Sequence, residues 1–139
     1  MTYKEKKAFL SSYIHAENAL KASLAEYERW ETIGTKVNRI FSAAPGSGSG
    51  STDANGKVER AAVEMASIME GIQANIDDAK RTKAEVIAAI NKVPRMRHRE
   101  LLRYRYICRM SNTKIAEMIG KDVKTVEKVI KTAIYYFNP

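Results

Sequence analysis

Lys124, Glu127, Lys128 and Lys131 recur at three- and four-residue spacing. On an α-helix that spacing gathers all four on one face. A lysine there can donate to guanine O6 or N7, and a glutamate can accept from cytosine N4. Val123, just ahead of them, offers an apolar surface to a thymine methyl. Val126, Ile130, Ala133 and Phe137 form the opposite, apolar stripe of the same segment. Val123, Lys124, Glu127, Lys128 and Lys131 are therefore the candidate base-reading set.

A second set is suited to phosphate. Thr113, Lys114 and Lys121 lie near expected helix ends, where side chains and amides often meet backbone phosphate. Arg97 and Arg103 are placed to join them. Arg105 is open to either role, a phosphate contact or a structural one against Glu117. The charge distribution agrees with an anionic polymer. Residues 92–139 hold 12 Lys+Arg against 4 Asp+Glu, whereas residues 1–91 hold 12 against 12. The whole net charge of +8 therefore sits on the last third of the chain, as expected of a module that binds nucleic acid.

Three short helices must position these residues. The first is expected over 96–108, with Leu101, Leu102, Tyr104 and Ile107 for a core. The second is expected over 113–119, with Asn112 or Ser111 as N-cap, Ile115, Ala116, Met118 and Ile119 as apolar residues, and Gly120 as a left-handed C-cap. The third is expected over 123–137, capped by Asp122. Ala116, Gly120 and Val126 have the spacing of a helix-turn-helix: a small residue at the crossing, a glycine at the turn and a β-branched residue packing the second helix on the first.

Residues 1–92 read differently. Tyr13, Ala16, Leu20, Ser23, Tyr27, Trp30, Gly34, Val37 and Phe41 repeat at three and four, predicting a helix over 2–42. Gly34 in that seam implies close approach of another backbone. Val58, Ala62, Met65, Met69, Ile72, Ile76, Ala79, Lys83, Val86 and Ile90 do the same over 57–91, with Lys83 the one charged member, its stem laid along the seam. A polar Gly/Ser loop over 44–56 joins the two into an antiparallel, coiled-coil-like hairpin. Phe9, Leu10, Ile14, Leu24, Ile33 and Ile40 widen the first stripe beyond what one partner helix covers. A second copy of the hairpin is the expected cover, ahead of the basic module folding back. The expected fold is all-α, with domains 1–92 and 93–139.

Residues 98–133 resemble the promoter-reading region four of bacterial sigma factors. The likeness runs through Arg99-Glu-Leu-Leu, Arg105-Tyr-Ile, Ser111, Ile115-Ala-Glu, Gly120 and Thr125-Val126. Over nearly its full length the chain is similar to the small sigma-region-four-like transcriptional regulators encoded by prophages of Gram-positive bacteria. Trp30 to Val37, Gly46 to Gly50 and the helix from Ile72 to Ile90 carry that wider likeness. The resemblance implies promoter DNA read by the helix over 123–137 and contact with RNA polymerase. It also places Val123, Lys124, Glu127, Lys128 and Lys131 against the DNA. Two positions depart from the sigma pattern. Arg109 stands where glycine is usual at the end of a helix, and Lys121 stands where an aliphatic residue usually follows the turn glycine.

Catalysis is not expected. His15 and His98 are far apart, no metal-binding spacing exists, and the Gly/Ser stretch lacks the lysine of a phosphate loop. Cys108, the single cysteine, reads as a small core residue. No cofactor or metal is implied. No apolar run of membrane length occurs, so a cytoplasmic protein is expected. The expected partners are double-stranded DNA, RNA polymerase and a second copy through the hairpin. The alternative is a DNA-packaging protein like the small terminase subunit, which binds DNA and assembles into a ring.

Overall fold

The computed structural model describes the backbone of residues 1–43 and 51–139, and the side chains of residues 1–36 and 56–139. It is all-helical among these residues. Five helices follow one another: α1 (Tyr3–Ala43), α2 (Ser51–Asn91), α3 (Met96–Tyr106), α4 (Asn112–Ile119) and α5 (Val123–Tyr136). α1 and α2 pack together as a hairpin. Its register is antiparallel: Tyr13 meets Lys83, Ser23 meets Asn75, and Gly34 meets Ala61.

The α1 seam follows the expected register. Ala16 is buried, and Tyr13, Leu20, Ser23, Tyr27, Trp30 and Gly34 are half-buried. Val37, Ile40 and Phe41 lie outside the described side chains. A Cβ placed on Gly34 would sit 3.9 Å from the Ala61 Cβ. That is ordinary contact, so the site tolerates alanine and does not demand glycine.

Two expectations for α2 need correction. Residues 51–56, read as part of the loop, are the first residues of α2. Once a helix is nucleated each added residue gains a hydrogen bond, and Ser51 and Asp53 are residue types favoured at helix starts. The expected residues 44–50 of the loop lie outside the described part. The α2 seam keeps the expected register at Val58, Met65, Ile72, Ile76, Ala79, Val86 and Ile90, all buried or half-buried, and departs from it at three positions. Ala61, Ala79, Thr82, Val86, Ala89 and Val93 are buried, with Met65, Ile68, Ile72 and Asn75 half-buried between them. Ala62, Met69 and Lys83 face outward. Thr82, not Lys83, occupies the seam. Its hydroxyl donates to the Asp78 carbonyl at 2.8 Å, which satisfies its polar atom inside its own helix. Lys83 instead places its Nζ 5.7 Å from the centre of the Tyr13 ring.

Compactness divides the chain into two units, Met1–Asn18 with Asp77–Pro139, and Ala19–Ile76. In the first unit the three short helices share one core with the ends of the long ones. Leu10, Val86, Ala89, Ile90 and Val93 are buried together with Leu101, Leu102, Tyr106, Ile115, Val126, Ile130, Ile134 and Phe137. Phe9, Tyr13 and Ile14 pack against that cluster, and the Phe9 and Phe137 rings lie 6.0 Å apart. The terminal module, not a second copy, covers the extra apolar residues at this end of α1. Each fully buried aliphatic side chain there stabilises the fold by about 1.5–3 kcal/mol. Lys6 Nζ donates to the Tyr135 carbonyl at 2.7 Å, capping the last turn of α5, where a cation also suits the helix dipole. In the second unit, Asn75 Nδ2 donates to Ser23 Oγ at 2.8 Å, pairing two polar seam residues.

Candidate nucleic-acid interface

The helix-turn-helix geometry is built by two capped turns. α4 starts on Ser111, whose hydroxyl accepts the Lys114 amide at 3.2 Å. Ser111 is thus the N-cap, and the alternative, Asn112, leaves its buried Oδ1 without a partner. At the other end Gly120 is left-handed, with φ 68 and ψ 37. The Lys121 amide bonds back to the Ala116 carbonyl at 3.0 Å, the closing bond of a Schellman turn. An aliphatic residue after the glycine usually packs onto the helix; Lys121 is exposed instead, its ammonium directed to solvent. Ile115, Ala116 and Val126 are buried, as the helix-turn-helix spacing required. Met118, expected in the core, is 50% exposed.

The turn between α3 and α4 is less usual. Arg109 has φ 56, the only non-glycine residue with positive φ among the described residues. A Cβ is strained in that region, which is why glycine is common there. Arg105 Nη1 supports the turn by donating to the Met110 carbonyl at 3.1 Å. Its partner is therefore backbone, not Glu117. α3 ends at Tyr106, and Cys108 lies beyond it in the turn, exposed, not in the core.

α5 carries the candidate reading face. Asp122 precedes it in extended conformation, and Val126, Ile130, Ala133 and Ile134 turn inward. Lys124, Glu127, Lys128 and Lys131 are all exposed and line one shallow depression together with Thr125. None of the four forms an ion pair among the described residues, although Glu127 has lysines three residues before it and one and four after it. Their donors and acceptors are therefore available to a ligand. Val123 differs from expectation: it is half-buried and packs against the core, because the first turn of α5 leans on that cluster. Thr113, Lys114, Lys121 and Arg97 are exposed. Arg103 is exposed too, but its Nη2 donates to Asn91 Oδ1 at 2.9 Å, tying α3 to the end of α2.

Sequence reasoning missed two polar groups of this unit. Arg109 Nη2 donates to Asn18 Oδ1 at 2.8 Å, and its Nη1 lies 3.5 Å from Glu17 Oε2. The only available signal was the absent glycine. His98 is 8% exposed, and burial, reinforced by the Arg95 charge, lowers its pKa below the usual histidine value.

Among the described residues no group of His, Cys, Asp and Glu could hold a metal ion, and no helix is long and apolar enough to cross a membrane. Scans against protein-family models, curated proteins and solved structures return no match.

Proposed function

We propose that the chain is a sequence-specific DNA-binding transcription regulator of the sigma-region-four-like kind that its sequence resembles. The exposed, unpaired face of Lys124, Glu127, Lys128 and Lys131, opposite the buried side of α5, carries this reading. α5 enters the major groove with its N-terminal half toward the bases. Lys124 and Lys128 donate to guanines and Glu127 accepts from a cytosine. Lys131 completes the face further along the helix, and Val123 shapes its start. Thr113, Lys114, Lys121 and Arg97 hold the backbone phosphates and set the register. The proposed partners are double-stranded DNA, RNA polymerase and a second copy of the chain.

The test is selection of a preferred duplex from a random pool, followed by binding measurements at ~150 mM salt. The selected duplex is expected to bind at least tenfold tighter than a scrambled one, since specific sites commonly exceed that margin. Lys128→Ala is expected to remove about 1–3 kcal/mol of that preference. Equal affinity for both duplexes would overturn the reading.

A further inference from the structure

A cleft of about 480 Å³ opens between the α2–α3 connection and the C-terminal half of α5. Its volume lies in the range of small-molecule sites. Val93, Pro94, Ala133 and Tyr136 supply apolar surface, and Arg95 and His98 supply the polar groups. Thr132 also lines it, but its hydroxyl already donates to the Lys128 carbonyl at 2.9 Å. The cleft shares no lining residue with the Lys124–Lys131 face.

Three independent features make this cleft attractive to an anion. His98 is 8% exposed, and its imidazole makes no hydrogen bond among the described residues. Its ring nitrogens are not among the fully buried unpaired atoms, so they stay accessible from the cleft that His98 lines, where a ligand can meet them. α3 begins beside it, with Arg95 as N-cap in extended conformation and no side chain capping the helix. The first-turn amides of this 11-residue helix are thus without a side-chain acceptor, at the positive end of the helix dipole. Arg95 itself is exposed and in no ion pair among the described residues. Arg95 and the start of α3 thus both offer positive charge to an anion in the cleft. A bare ion would leave the apolar surface of Val93, Pro94, Ala133 and Tyr136 uncovered.

We infer that this cleft binds a small carboxylate carried on a flat apolar body, the carboxylate meeting Arg95, His98 and the start of α3. Such a ligand would bridge the residues entering α3 and the helix that carries the reading face. The inference does not depend on what α5 reads.

The chain has two histidines, so proton NMR of the full chain gives two separate imidazole C2–H signals. His15 is exposed on α1 and serves as the internal reference. Benzoate is the probe. Benzyl alcohol keeps the ring without the charge, and acetate keeps the charge without the ring. Benzoate is expected to shift the His98 signal saturably and leave His15 in place. Both controls are expected to bind at least tenfold more weakly. Arg95→Gln, at an exposed position that does not threaten folding, is expected to weaken benzoate about tenfold, as loss of one charged hydrogen bond does. No saturable shift of His98, or an unchanged benzoate affinity in Arg95→Gln, overturns the proposal. Acetate matching benzoate would reduce the site to a bare anion site, and benzyl alcohol matching it would reduce it to an apolar cleft; either result also overturns it.

Discussion

Arg109 donates a hydrogen bond to Asn18 at 2.8 Å across 91 residues of sequence, and it does so from a left-handed backbone, with φ 56. The residue that strains the α3–α4 turn is therefore also the one that ties it to α1, with Glu17 3.5 Å away. These two effects oppose each other. Arg109→Gly loses the tie but also the strain. Arg109→Ala loses the tie and keeps the strain. The glycine variant should be more stable than the alanine variant by about 1 kcal/mol, the ordinary cost of a Cβ in this region. Urea denaturation of both measures the gap. An alanine variant as stable as the glycine variant would mean that the turn relaxes out of the left-handed region.

The seam of α2 separates two adjacent residues whose roles the sequence exchanges. Thr82 is 8% exposed, and Lys83 lies outside over the Tyr13 ring. Thr82→Lys would bury a charge without a partner and should cost more than about 2 kcal/mol. Lys83→Ala removes only an exposed cation–π contact and should cost no more than about 1 kcal/mol. Thermal or urea unfolding of the two variants decides the register. Equal costs would return Lys83 to the seam.

That exchange shows where hydropathy stops being informative. The two possible stripes share Met65, Ile72, Ala79 and Val86, so helix period and packing were legible from spacing alone. The choice between them hangs on Asn75 and Thr82, which look too polar for a seam. Asn75 bonds Ser23 on the partner helix, and Thr82 bonds its own backbone. Neither bond leaves a trace in a pattern of apolar residues. Gly120 was legible because left-handed backbone selects glycine so strongly. The outward lysines of α5 were legible because Val126, Ile130 and Ala133 fix the inward side. Val123 was not, since its place on the core depends on how the first turn of α5 meets α3 and α4. The shared burial of Leu10 with Leu101 and Ile134 was equally hidden. The same excess of apolar residues on α1 fits a second copy or a returning module.

The division of labour proposed for the basic residues has a salt signature. Each phosphate contact contributes about −0.9 to the slope of log affinity against log salt. Lys114→Ala and Lys121→Ala should each lower the slope by about one and weaken all duplexes alike. Lys128→Ala should instead reduce discrimination between duplexes. Arg103 is held by Asn91, so Arg103→Ala should change the slope by less than either lysine. Affinities over a salt series, on a selected and a scrambled duplex, separate these outcomes. A Lys128→Ala effect that is uniform across sequences would move that residue to the phosphate group.

His98 links stability to pH in a definite direction. Burial, and then the charge of Arg95, lowers its pKa from the usual 6.5. The unfolded chain therefore takes up the proton more readily than the folded one, and acid favours unfolding. The stability contributed by the neutral imidazole is complete above about pH 6.5. It is lost as the pH falls from there through the folded-state pKa. For one proton the loss cannot be steeper than about 1.4 kcal/mol per pH unit. Glu5 acts lower on the scale. The Thr2 amide and hydroxyl hold its carboxyl below 4.5, so its share disappears only in stronger acid. Urea midpoints between pH 8 and pH 5, for the natural chain and for His98→Gln, isolate the histidine. The natural chain should lose stability below pH 6.5 by more than the variant does. Parallel curves would show that the folded and unfolded states hold the His98 proton equally well.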